Sequence, residues 1–351
     1  MEESMMKFQI FQSEEVETEM FAVFVGEKGK ASLRQIETPV PAAGEALIRI
    51  IRSGICNTDL EILDGYMQFD GIVGHEFVGK VIQVNYTEDS LLGKRVVGDI
   101  NLPCRQSSSC HICRTGGDMA RNHCPNRTVL GILNKSGCHA QYITLPIQNL
   151  HVISDSIPDE VATFTEPLAA ALRIVEQNLL RKNDHIAIIG DGKLGLLIAE
   201  VLGRQEMLEQ KPVLYGKHQE KMSLVSDVVS THHVEEALSG KNAAFDVVVD
   251  VTGNPEGLNL AQNLCKPLGT IVLKSTCAAA AGFNTAIFVI DELRVIGSRC
   301  GPFDEAIKFL ERYPDLNLNK YVTATFPLEN AEEAFHVAKS KGTLKIQLEC
   351  I

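Results

Sequence analysis

Hydrophobic positions change their period near the middle of the chain. Between residues 21 and 155 they fall in short runs, AVFVG, ALIRIIR, FVGKVIQV and QYITL, separated by Gly, Pro and Asn. Runs of this length, rich in β-branched residues, predict strands joined by turns and hence a β-rich first part. From about residue 158 the pattern alternates. PDEVATFTEPLAAALRIVEQNLL reads as helical, HIAIIG as a buried strand, KLGLLIAEVLGRQEM as helix and PVLYG as strand. FDVVVDVTG, TIVLKS and FVIDELRVIGS continue as strand candidates. Wholly apolar strands between helices predict a parallel, doubly wound α/β sheet. After residue 302 come two further helical segments, FDEAIKFLERYP and ENAEEAFHVAKS, and the strand-like LKIQLE, which need not belong to that sheet.

Composition narrows the class of protein. A chain of 351 residues has room for two domains, and 45% hydrophobic with 22% charged residues suits a globular protein rather than a disordered one. The net charge of −12, with no long basic run, argues against nucleic acid and anionic membranes as partners. No apolar run approaches the roughly 20 residues that span a bilayer, and the first segment, MEESMMKFQIFQSEEVETE, is acidic where an export signal is basic. The expectation is a cytoplasmic protein whose ten cysteines are thiols or metal ligands rather than disulfides. Cys56, Cys138, Cys265, Cys277, Cys300 and Cys350 are scattered, whereas Cys104, Cys110, Cys113 and Cys124 fall within 21 residues.

Two motif sets carry chemistry. Gly190-Asp191-Gly192-Lys193-Leu194-Gly195 follows the strand HIAII directly and opens a helix. In that setting glycines let a backbone approach a pyrophosphate at the helix N-terminus, the mark of dinucleotide binding; the bland alternative is a turn kept for tight packing. An NAD-binding chain places an acid at the end of the next strand, for the ribose hydroxyls. Here PVLYGKHQEK offers Gly216, then Lys217 and His218, which favours the 2′-phosphate of NADP, with Glu220 near enough to keep NAD open. The other set is Gly54-Ile55-Cys56-Asn57-Thr58-Asp59 and, 19 residues after Cys56, Gly74-His75-Glu76. Thiolate and imidazole are good zinc ligands, although Cys56 or His75 alone reads more simply as a buried core residue.

GICNTD, GHEFVGKV, the four-cysteine cluster, TEPLAAA and GDGKLG occur in the order found in the zinc-dependent medium-chain alcohol dehydrogenases. The chain resembles that family, and within it the sorbitol and threonine dehydrogenase branch, from about residue 21 onward. The resemblance implies a GroES-like β-rich catalytic domain (1–166 and 302–351) and a Rossmann domain (167–301), with zinc in the cleft between them. It implies hydride transfer between NAD(P) and a small alcohol or carbonyl substrate, polyol-like in this branch.

By motif, Cys56 and His75 match the first two catalytic zinc ligands, and Glu76 or Glu166 the third. Asp59 would orient His75, and Thr58 would pass on the alcohol's proton. The next relay member is usually histidine, but here Glu61 stands near that position. Cys104, Cys110, Cys113 and Cys124 resemble the structural-zinc lobe, with each outer gap three residues longer than is usual there. His111 or His123 could stand in for a displaced cysteine. The resemblance also implies a homodimer or homotetramer paired through the edge of the Rossmann sheet, for which FNTAIFVIDELRVIGS offers an apolar strand. Two other readings share the scaffold: a nucleotide-binding sensor without turnover, and a zinc-free quinone-reductase-like enzyme.

Overall fold

The structure is a computed structural model that describes residues 9–26, 29–88, 90–104, 109–115, 120–238, 243–276 and 285–351. Cys277 and the first eight residues lie outside that set. The chain divides into two compact units, residues 1–166 with 306–351, and residues 167–305.

The first unit is built on Glu45–Ile55, the strand of the ALIRIIR run. It pairs antiparallel with Glu76–Tyr86, with Tyr142–Pro146 and with the late strand Lys345–Glu349. Ala46, Leu47, Ile48 and Ile50 are buried along it, and at its end Ser53, Gly54 and Ile55 are all buried. Register decides what meets at that end. Gly54 lies opposite Glu76 and Ile55 opposite Ile346, so the first residues of two strands, Glu76 and Lys345, arrive beside the residue that follows Ile55, which is Cys56.

The second unit holds six parallel strands: Ile186–Ile189 (β1), Val213–Gly216 (β2), Ser230–His233 (β3), Phe245–Asp250 (β4), Cys265–Leu273 (β5) and Arg294–Gly297 (β6). Their order, β3-β2-β1-β4-β5-β6, is that of the doubly wound dinucleotide-binding sheet, and it confirms the predicted parallel sheet. The central β1 is buried on both faces, as its unbroken apolar run requires.

Two assignments differ from the sequence reading. FVIDELRVIGS is not one strand: Thr285–Ile290 is helical, and only Arg294–Gly297 pairs, at the sheet edge. Val289 and Ile290 are each 77% exposed, while Phe288 and Leu293 pack partly buried against the core of the sheet, so the run is not one buried strand. The strand β3, sequence STHH, went unrecognised because an edge strand with polar side chains lacks the apolar signal. No helix among the described residues is long and apolar enough to cross a membrane.

Candidate functional site

At the end of Glu45–Ile55 the chain turns into a short helix, Asn57–Leu63, with Cys56 at its N-cap. Asp59, in the first turn, reaches back to accept the Cys56 amide at 2.8 Å and also takes the Gly74 amide at 3.2 Å. One carboxylate thereby ties the two motif segments together. Its Oδ1 stands 3.3 Å from His75 Nδ1 and its Oδ2 3.5 Å from His139 Nε2, while His139 Nδ1 lies 2.8 Å from the Ser53 hydroxyl. Burial opposes the Asp59 charge, but the two imidazoles outweigh it and hold the carboxyl well below its usual range. At 3.3 Å from Asp59 the geometry of His75 Nδ1 falls short of a hydrogen bond, but the carboxylate lies on that side of the ring, which leaves Nε2 as the nitrogen open to a ligand.

The ligand atoms of Cys56, His75 and Glu76 all lie within 4.8 Å of one another, a thiol, an imidazole and a carboxylate on one small volume. Burial disfavours a charged imidazole at His75, yet Asp59 and Cys56 push its pKa well above the ordinary value. Three donors this close can meet on one cation, and their mixed S, N and O character suits zinc. Glu166 is outside this set. It is near enough to be affected by its members, however. Burial raises its carboxyl to about 7, with Glu76 and Asp99 adding to the rise against His75 and Lys345. Thr58 Oγ1 lies 3.8 Å from Cys56 Sγ, and Glu61 is exposed on the same helix.

Sequence reasoning missed Lys345. Its ammonium donates to Glu76 Oε2 at 2.5 Å, and the two side chains are 4% and 1% exposed. Burial lowers a lysine pKa, but Glu76 more than offsets it here. The signal was present in LKIQLE: a lysine opening a strand whose first four residues are buried has to find an anion. His139 was missed as well, since no motif includes it.

Cys104, Cys110, Cys113 and Cys124 form a second group with all four sulfurs within 4.8 Å of one another, despite the long outer gaps. The Sγ atoms of Cys104 and Cys113 are 3.7 Å apart, and those of Cys110 and Cys124 3.9 Å. Burial resists the Cys124 thiolate, but the Cys104 amide and thiol, with the Asn126 amide, bring it down to about 7. Neither His111 nor His123 belongs to the group.

In the second unit, Gly190 turns the chain at the end of β1, Gly192 caps the helix Lys193–Gly203, and Lys193 and Leu194 form its first turn. A Cβ on Gly195 would stand 2.0 Å from the Gly190 carbonyl, so the third glycine is required by the contact between helix and loop. Gly216 ends β2, and Lys217, His218 and Glu220 beyond it are exposed. The strand end is not without an acid, as its own sequence suggests. The Asp191 carboxylate crosses from the glycine loop and accepts the amides of Lys217 at 2.8 Å and His218 at 2.6 Å. Burial works against its charge, but those amides and the His218 ring hold its pKa below the usual value.

Comparison with known proteins agrees with both units. The family model described as the alcohol dehydrogenase GroES-like domain matches residues 42–155, and that of the glucose dehydrogenase C-terminus matches residues 160–350, more than half the chain. The D-altritol 5-dehydrogenase of Agrobacterium fabrum is 30% identical over 93% of this chain and 99% of its own. The erythritol/L-threitol dehydrogenase of Mycolicibacterium smegmatis is 26% identical over 96% and 99%. Among solved structures, a zinc-binding dehydrogenase of Sinorhizobium meliloti 1021 bound to NADP is 25% identical, with a TM-score of 0.82 over 95% of this chain and 100% of that one. An alcohol dehydrogenase of Escherichia coli CFT073 complexed with NADH shares the fold, at 23% identity and a TM-score of 0.85 over the same shares.

Proposed function

This chain belongs to the zinc-dependent medium-chain alcohol dehydrogenase family and is an oxidoreductase of that type; on that premise we propose that it oxidises a polyol, or reduces the corresponding carbonyl, with zinc and a nicotinamide dinucleotide. The observation that carries the reading is the meeting of Cys56, His75 and Glu76 within 4.8 Å, with Asp59 fixed behind His75. The relatives named for erythritol and altritol support a polyhydroxy substrate.

Cys56, His75 and Glu76 are the residues that would hold the catalytic metal, with Glu166 facing the same group from outside it. Bound zinc supplies Lewis-acid polarisation of the alcohol oxygen, and the dinucleotide supplies the hydride acceptor. The chain's own part is positional. Asp59, 3.3 Å from His75 Nδ1, would set the tautomer and plane of the ring when Nε2 serves as a ligand. The Thr58 hydroxyl, beside Cys56, takes the alcohol's proton, and Glu61, three residues along the same helix, passes it to water. Gly190, Gly192 and Gly195 open the approach to the pyrophosphate. Cys104, Cys110, Cys113 and Cys124 would hold a second, closed zinc that contributes to folding.

Purified protein is expected to contain about two zinc ions per chain and to oxidise four- to six-carbon polyols when these are screened with each dinucleotide. A single zinc, or binding of dinucleotide without turnover of any alcohol or polyol, would favour a sensor on the same scaffold. None of the nine described cysteines is joined in a disulfide, which fits a reducing compartment such as the cytoplasm. For assembly we expect a homodimer or a pair of dimers joined at the β6 edge, where Val295 is exposed beside a helix that exposes Val289 and Ile290. Sedimentation as a monomer at micromolar concentration would contradict it.

A further inference from the structure

The end of β2 is shaped around a side chain from the loop that follows β1. A Cβ placed on Gly216 would lie 2.7 Å from Asp191 Cβ, 2.7 Å from Met222 Sδ and 2.8 Å from Asp191 Oδ2. No side chain fits there while Asp191 holds its place. The glycine and the aspartate are therefore two halves of one arrangement: the acid absent from β2 has moved to the loop after β1, and Gly216 makes room for it.

The carboxylate is firmly held. Oδ2 accepts the Lys217 amide at 2.8 Å and the His218 amide at 2.6 Å, and His218 Nδ1 stands 3.0 Å away. Among the described residues no hydrogen bond reaches Oδ1, and that oxygen is not one of the atoms closed off from solvent, so it is open to a hydroxyl donor. We propose that Asp191 selects NAD(H) over NADP(H), accepting a hydroxyl of the adenosine ribose on Oδ1 and excluding a 2′-phosphate. This rests on the dinucleotide reading above and adds to it the identity of the dinucleotide.

Three arguments lead there. The two amides that would cradle a phosphate at this strand end are already bonded to an anion, so a phosphate must displace a buried carboxylate or sit against it. A free carboxylate oxygen matches a hydroxyl donor and repels a phosphate, which is acceptor-only when ionised. The opposing attraction comes from Lys217, which is exposed and on a flexible stem. An exposed charge pair is worth roughly fivefold in affinity at most, against on the order of tenfold to a hundredfold for a hydrogen bond to a held charge. The carboxylate prevails over the lysine. The lowered pKa of Asp191 keeps it ionised at neutral pH.

Calorimetric titration of the zinc-loaded protein with NADH, NADPH, ADP-ribose and 2′-phospho-ADP-ribose tests this without any substrate. NADH should bind more tightly than NADPH by at least about tenfold, and the two ribose fragments should show the same order, because the selection lies at the adenosine end. Asp191→Asn keeps the shape and removes the charge, and Asp191→Ser releases the two amides. Either should shift the NADH to NADPH ratio by about tenfold or more towards NADPH. Tighter NADPH binding by the wild type, or a ratio unmoved in variants that unfold at the wild-type temperature, overturns the assignment. The wild-type ratio decides even if neither variant folds. Failure of all four compounds to bind would overturn the dinucleotide reading itself, and is a distinct result.

Discussion

Replacing Cys56 with serine is expected to lower kcat/KM on a polyol substrate by on the order of a thousandfold or more, while the protein stays folded. Polarisation of the reacting oxygen by a metal is worth several kcal/mol at the transition state, and each 1.36 kcal/mol is tenfold in rate. Serine is a poor zinc ligand, so zinc should fall from about two to about one per chain. Folding should survive because Cys56 is only half-buried and its thiol contacts groups of the site rather than the core. Cys113→Ser is the contrast. It should also remove one zinc, but from the group that closes the lobe, and so lower thermal stability more than it lowers the chemical rate. Full activity and unchanged metal content in Cys56→Ser would remove the catalytic assignment of Cys56, His75 and Glu76 altogether.

What the sequence made legible, and what it did not, follows from how far each signal reaches along the chain. The six-stranded sheet was readable because β1, β2, β4 and β5 have local apolar patterns, and the strand-to-helix glycines lie in one run. The apolar run through 285–290 predicts a strand, but it forms a helix that packs Phe288 against the sheet and exposes Val289 and Ile290, and apolar content alone does not distinguish the two. Cys56 and His75 were visible through their motifs. Lys345 was not, because its partner Glu76 is brought to it by strand register across 269 positions, and no local pattern encodes that. Asp191 illustrates a subtler limit. It was identified as part of the glycine loop, yet the strand end was judged by its own residues alone. Only the geometry shows that the space over Gly216 is filled from Asp191.

Lys345→Met should destabilise the β-rich unit by about 3 to 5 kcal/mol, a fall in Tm of roughly 6 to 20 °C for a cooperative unit of this size. Methionine replaces the aliphatic stem, so the loss is not one of packing. It comes from Glu76, which is 1% exposed and would remain buried with no ammonium beside it. The sign then depends on the partner that remains. If Glu76 ligates zinc, the metal supplies the positive charge that Lys345 no longer provides, so the penalty should be clearly smaller in zinc-loaded than in zinc-stripped protein. If Glu166 is the third ligand instead, Glu76 gains nothing from the metal and the two penalties should agree. Adding Glu76→Gln to Lys345→Met removes the stranded charge and should restore most of the metal-free stability, at the cost of a ligand. Thermal unfolding of the two variants and the wild type, with and without chelator, reads all of these at once. A Tm unchanged by Lys345→Met in the stripped protein would mean that the Lys345–Glu76 pair does not carry the electrostatic balance of this site.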